Sequence, residues 1–164
     1  MQAGDLVFCH SKGIVGASIR WAQRNLQDEH YSKWNHVAVL DRLVDGQWKV
    51  VQAEAKGVTS DKDLDSVAPG GTYEIVEFPE AANRFAFLEF VRAQVGEKYG
   101  FLTIFSCALD MLLPNAVCLR KANTWICSGL VGAGLWFSGY EPSINLPDVY
   151  TAVPAEIAKL CVQK

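Results

Sequence analysis

The chain has 164 residues, half of them hydrophobic and a fifth charged, with a formal net charge of −3. That length fits a single domain over residues 1–164 whose core needs no covalent staples. The balance excludes a disordered polyelectrolyte and gives no strongly basic face for nucleic acid.

The opening Met1-Gln2-Ala3-Gly4-Asp5 lacks the basic-then-apolar layout of a secretory signal. Synthesis in the cytoplasm is therefore expected, with any action at the cell envelope requiring delivery by phage or a secretion system. Gly4-Asp5 followed by Leu6-Val7-Phe8-Cys9 reads as a turn entering a strand. From Gly13 to Arg24, apolar residues at Ile14, Val15, Ala17, Ile19, Trp21 and Ala22 predict a helix. Asn35 to Leu40 and Gln47 to Ala55 read as two strands, and Asp45-Gly46 between them is a hairpin turn signal. Asp61 to Gly71, rich in Asp, Ser, Pro and Gly, predicts a surface connection, and Tyr73 to Phe78 alternates as a further strand.

After Pro79 the period changes. Phe85, Leu88, Val91, Arg92 and Val95 recur at helical spacing, and Gly96 can end that helix. Phe101 to Leu113 reads as a largely buried helix stopped by Pro114; it is too short to span a membrane and contains Asp110. No integral membrane segment is expected. Ser128 to Phe137 and Pro154 to Cys161 complete the helices. Strands in the first half and helices in the second argue an α+β fold, an antiparallel sheet packed against helices.

The five cysteines, Cys9, Cys107, Cys118, Cys127 and Cys161, show no C-x-x-C spacing, and there are only three histidines. Neither a disulfide framework nor a structural metal site is expected, and most of these thiols read as buried small hydrophobes. Cys127 differs because a helix is predicted to begin there. A thiol reacts as thiolate, and the positive end of a helix and a nearby histidine both favour that form. Ser128, Gly129 and Gly132 leave room for a substrate, and the Cys127 amide is placed to meet a developing oxyanion. His36 is the candidate base, and Glu54 on the next strand the candidate acceptor for its other ring nitrogen, with Gln52 on the same face as the fallback.

Hairpin register tests that pairing. A two-residue Asp45-Gly46 loop makes paired positions sum to 91, which sets His36 opposite Ala55 and turns Glu54 to the other face. A three-residue loop or a bulge makes them sum to 90, which sets His36 opposite Glu54. Cys9-His10 is the internal rival, but Cys9 closes a strand and lacks a helix terminus to activate it.

Val95-Gly96-Glu97-Lys98-Tyr99-Gly100, then Ile126-Cys127-Ser128-Gly129-Leu130-Val131, resembles the cysteine half of the NlpC-type cell-wall peptidases. Asn35-His36-Val37-Ala38-Val39, then Glu54-Ala55-x-Gly57-Val58, resembles their histidine half. Here the histidine half comes first, as in the circularly permuted branch, the YiiX- and YebB-like permuted papain-like proteins related to the lecithin:retinol acyltransferase group. Gly4-Asp5-Leu6-Val7-Phe8, Ser18-Ile19-Arg20 and Val153-Pro154-Ala155-Glu156-Ile157 fit that branch as well. Two departures stand out: Ile126 occupies the place of Asp in the unpermuted enzymes, and Gly129 the place of Glu in the branch's Cys-Ser-Glu-Leu-Val.

The resemblance implies a permuted papain-like fold and a cysteine peptidase or amidase with Cys127 as nucleophile, His36 as base and Glu54 as orienting residue. It implies a bacterial cell-wall peptide as substrate and no metal or organic cofactor. Trp34 and Trp125 read as core residues or, because they flank the proposed site residues, as lining of a substrate cleft, with Ser128 and Tyr99 the other candidate substrate-binding residues. The acyltransferase relatives imply a second reading, acyl transfer or ester hydrolysis on a lipid by the same thioester chemistry. A phage or assembly module that keeps the fold only for binding is the third.

Overall fold

The structure, a computed structural model, describes residues 1–12, 14–23, 29–112, 119, 121–140 and 150–162. Five antiparallel strands form its sheet: β1 Leu6–His10, β2 His36–Val44, β3 Gln47–Glu54, β4 Gly57–Asp63 and β5 Thr72–Val76, in the order β4-β3-β2-β1-β5. Leu6 to Cys9 and Val37 to Leu40 are all buried, so the middle of the sheet is covered on both faces. Continuous apolar runs at its centre reflect that double cover.

The helices are α1 Ile14–Gln23, α2 Glu29–Ser32, α3 Arg84–Ala93, α4 Phe101–Leu112, α5 Cys127–Phe137 and α6 Pro154–Val162. A short parallel pair, β6 Lys98–Tyr99 and β7 Thr124–Trp125, lies outside the main sheet. The principal core joins Leu6, Phe8, Val37, Val39, Val51 and Ala53 to the inner faces of α3, α5 and α6. The architecture is thus α+β, as the segregation of strands and helices predicts. Among the described residues no helix is long and apolar enough to cross a membrane.

Two expectations need correction. Asp61 to Gly71 is more than a surface connection: β4 runs to Asp63, and a single 3₁₀ turn, Leu64–Ser66, follows. Leu64, Val67 and Ala68, one helical turn apart, pack over Val7, Cys9, Ala38, Leu40 and Val50 and close the second sheet face. Helix α4 is not largely buried at its start. Phe101, Leu102 and Phe105 are 62%, 50% and 63% exposed, while Thr103 and Ser106 point inward. The Ser106 hydroxyl accepts from the Leu119 N–H at 2.8 Å and donates to its carbonyl at 3.2 Å, so the polar stripe is what the returning chain needs. The predicted ends at Gly13, Arg24, Leu113 and Pro114 lie outside the described residues, as do Cys118 and the side chain of Cys107.

The β2–β3 hairpin fixes the site. Asp45 and Gly46 both take left-handed backbone, φ 50° and 77°, the requirement of a two-residue type I′ turn. Val44↔Gln47, Leu43↔Trp48 and Arg42↔Lys49 pair in the register of that turn. A bulge at Asp41 then shifts the ladder by one, giving Leu40↔Val50 and Val39↔Val51. The two-residue turn and the bulge therefore occur together, and the ladder beyond Asp41 runs in the register that turns His36, Gln52 and Glu54 to one face.

Candidate active site

His36 opens β2 and is held from the chain on both sides. The Asn35 N–H donates to the Cys9 carbonyl at 3.0 Å, and its side chain closes on Ser11: Oδ1 accepts from the Ser11 N–H at 3.0 Å and Nδ2 donates to the Ser11 carbonyl at 2.9 Å. Arg20 on α1 donates to the same carbonyl at 2.9 Å. Gln23, fully buried, donates to the Trp34 carbonyl at 2.9 Å and accepts from the Ala155 N–H of α6 at 3.0 Å. These side chains anchor the entry to β2. The sequence offered a partial signal in Ser18-Ile19-Arg20 ahead of the histidine strand, and none for Gln23.

Cys127 stands at the first position of α5. β7 leads into it, and the β6–β7 ladder (Tyr99↔Trp125), with the Gly100 N–H on the Trp125 carbonyl at 2.9 Å, brings Tyr99 alongside. Ile126 is the N-cap, in extended conformation and with no capping side chain. The first amides of α5 therefore keep their donors for whatever lies at the helix end. Residues Cys127 to Leu135 are all buried, and the small residues let other chain segments press close. A Cβ on Gly129 would fall 2.2 Å from the Tyr150 carbonyl oxygen.

The two halves meet. His36 Nε2 lies 2.8 Å from Gln52 Oε1, a geometry in which the ring N–H donates to the amide oxygen. That leaves Nδ1 for the thiol, and His36 and Cys127 are close enough for each to shift the other's proton affinity. Burial alone would push the Cys127 thiol up, but the charge and nearness of His36, with the N–H groups of Val37 and Ser128, hold it below the ordinary thiol range. For His36, burial works downward and is outweighed by Cys127, the Gln52 bond and the charge of Glu54, so its affinity for a proton is raised. Both shifts favour a thiolate beside an imidazolium.

Glu54 is close enough to act on His36 through its charge, but its carboxylate is bound by Lys62 Nζ at 2.8 Å. The hydrogen-bonding partner of the histidine is Gln52, which corrects the expectation for Glu54. Lys62 explains the choice: the register sets Glu54 opposite His36, but its carboxylate is drawn to Lys62, and Gln52, a diagonal neighbour on the same face, is within reach of the ring. Gln52 is 2% exposed, and its Nε2 finds no partner among the described residues.

The Ser128 N–H serves the sulfur, and its side chain is buried. Tyr99 is partly buried beside the thiol, with its hydroxyl made less acidic by burial and by Cys127. Trp34 and Trp125 are each 6% exposed and belong to the core, which leaves little of either ring for a ligand. Trp34 stacks near Phe8, and Trp125 donates to Gln94 Oε1 at 3.1 Å.

Cys9 sits fully buried in the middle of the sheet, its thiol on the Val7 carbonyl and its pKa pushed up to about 12 by burial and by Cys127. Cys161 is likewise pushed up to about 12 by burial. Of the described thiols, only Cys127 is shifted toward thiolate. No protein-family model and no curated protein matches the chain.

Proposed function

We propose that this chain is a cysteine hydrolase of the circularly permuted papain-like, NlpC-related type, cleaving an amide bond in bacterial cell-wall peptide. The supporting observation is the line Cys127–His36–Gln52 at the open start of α5, with the thiol held below its ordinary range. In this reading the Cys127 thiolate attacks the substrate carbonyl carbon and a C–S bond forms. The Cys127 amide and the positive end of α5 stabilise the oxyanion. Nδ1 of His36 gives its proton to the leaving amine as the C–N bond breaks, leaving a thioester. His36 then takes a proton from water, whose oxygen attacks the thioester, and Cys127 departs as thiolate. Gln52 keeps the ring in the required tautomer and orientation throughout.

Digestion of purified sacculus with wild type and with Cys127→Ala, read by mass spectrometry, tests this. New peptide termini released only by wild type support the reading and identify the bond. Their absence, with the protein folded, counts against it.

One observation favours acyl transfer on a lipid instead. The exposed Phe101 contacts Tyr99 edge-on at a ring separation of 4.9 Å, and Leu102 and Phe105 extend the apolar surface from there. Transfer of a labelled acyl group to Cys127 from a phospholipid, without muropeptide cleavage, would select that reading.

A further inference from the structure

The strand that carries His36 has one residue too many for its own hairpin, and that residue is clamped from another element. Asp41 is the surplus residue, lying between the rungs Leu40↔Val50 and Arg42↔Lys49. It is 1% exposed although it is an acid. Its Oδ1 accepts from Arg92 Nε at 2.7 Å, its carbonyl accepts from Arg92 Nη2 at 3.3 Å, and its Oδ2 accepts from Arg42. Arg92 lies in the last turn of α3. Phe87 and Val91 of that helix lie against Gly134 of α5, where a Cβ would come within 2.8 Å and 3.2 Å of them. The helix that grips the bulge thus also braces the helix that begins at Cys127.

Counting rungs shows what the bulge does. Were Asp41 an ordinary member of the ladder, the register of the Asp45-Gly46 turn would continue to the start of β2. Val39 would then stand opposite Gln52, and His36 would share a face with Ala53 rather than with Gln52. The apolar pattern opposes that slip, because it would take Val51 and Ala53 out of the principal core. What the pattern does not supply is a satisfied place for a buried carboxylate and an unpaired carbonyl. Arg92 supplies it.

We infer that Arg92 and Asp41 are positioning residues for the Cys127–His36 pair: by holding Asp41 outside the ladder, Arg92 fixes the register in which His36 and Gln52 share a face. The functional consequence rests on the cysteine-hydrolase reading; the register itself does not.

Four full-length variants separate this from a merely structural ion pair: Arg92→Leu, Arg92→Lys, the double variant Asp41→Ala/Arg92→Leu, and Arg92→Leu with Asp41 deleted. The Asp41→Ala double variant relieves the buried charge but keeps the surplus residue. The deletion removes the surplus residue and leaves Arg42↔Lys49 and Leu40↔Val50 as neighbouring rungs of a regular ladder. Each protein is read by the carboxymethylation rate of Cys127 at pH 7 and by the ¹⁵N shifts of the His36 ring.

Arg92→Leu and the Asp41→Ala double variant should lose Cys127 reactivity by roughly thirtyfold, toward an ordinary thiol that is a few per cent ionised at pH 7. Their His36 ring shifts should move to those of a ring without the Gln52 bond. Deletion of Asp41 in the Arg92→Leu background should restore both, and Arg92→Lys should fall between. If Arg92→Leu does not fold, the deletion and Arg92→Lys still decide the matter. Wild-type rate and ring shifts in the Asp41→Ala double variant would overturn the inference, as would failure of the folded deletion variant to recover the shifts. If wild-type Cys127 proves no faster than Cys9 and Cys161, the hydrolase reading falls, while the ring shifts across the series still judge the register.

Discussion

His36 and Gln52 are joined at 2.8 Å across neighbouring strands, while Glu54, two residues farther along β3, is held by Lys62 at the same distance. The acceptor of the imidazole proton is therefore a neutral amide, and the nearby carboxylate acts only through its field. Removing the acceptor with Gln52→Ala takes away a hydrogen bond to a charged ring, about 1.5–3 kcal/mol, or roughly 10- to 100-fold in peptide release. Glu54→Gln breaks a partly exposed ion pair and should change the rate by less than about 1 kcal/mol equivalent. Rates of terminus release from sacculus check both, and a larger loss for Glu54→Gln than for Gln52→Ala would reverse the assignment.

The opposed shifts of the pair set the pH profile. Cys127 is held below the ordinary thiol value of 9.0, so the rising limb should lie below that value. His36 is held above 6.5, and the imidazolium needed to protonate the leaving amine is lost as pH climbs past its raised value, so the falling limb should lie above 6.5. The kcat/KM profile of the free enzyme is then a bell. Gln52→Glu keeps the acceptor and adds a full charge against the ring, which should move the falling limb further up. A single rise at the ordinary thiol value, with no falling limb, would mean that the ion pair does not form.

A second buried carboxylate gives a stability test away from the site. Asp5, with its side chain 2% exposed, accepts from Arg84 Nη1 at 2.7 Å, from the Phe78 N–H at 3.2 Å and from the Gln2 N–H at 2.7 Å. Burial pushes its pKa up, but Arg84 and the two amides outweigh this and hold it below 3.8. A depressed carboxylate stabilises the fold above its unfolded value, and the contribution is lost as pH falls through the folded one. Arg84→Leu should cost about 3 kcal/mol at pH 7, for loss of one partner of a buried pair. The gap from wild type should narrow in acid. Urea denaturation at pH 7 and pH 3 measures it, and a gap that does not change with pH would contradict the assignment.

Much of the site was legible in the sequence because its parts are local. The small-residue run after Cys127 predicts a helix start, and Asp45-Gly46 predicts the hairpin that carries His36 and Gln52. Less legible were features decided across the sheet. An acid in a largely apolar strand, Asp41, does not announce whether it will be paired, exposed or bulged; its partner Arg92 comes 51 residues later. Glu54 and Gln52 share a face, and local sequence cannot say that Lys62 on β4 will draw the carboxylate aside. Composition also misled at α4, where apolar Phe101, Leu102 and Phe105 face out because Ser106 is needed inside by the backbone of Leu119.

The most direct measurement is a competition among the thiols of the folded protein. Wild type and His36→Ala are treated briefly with iodoacetamide at pH 7, and modification of Cys127, Cys9 and Cys161 is quantified by peptide mass spectrometry. Selective labelling of Cys127 in wild type, lost in His36→Ala, is the predicted result. Labelling of Cys127 no faster than that of Cys9 and Cys161, or unchanged without His36, would contradict it.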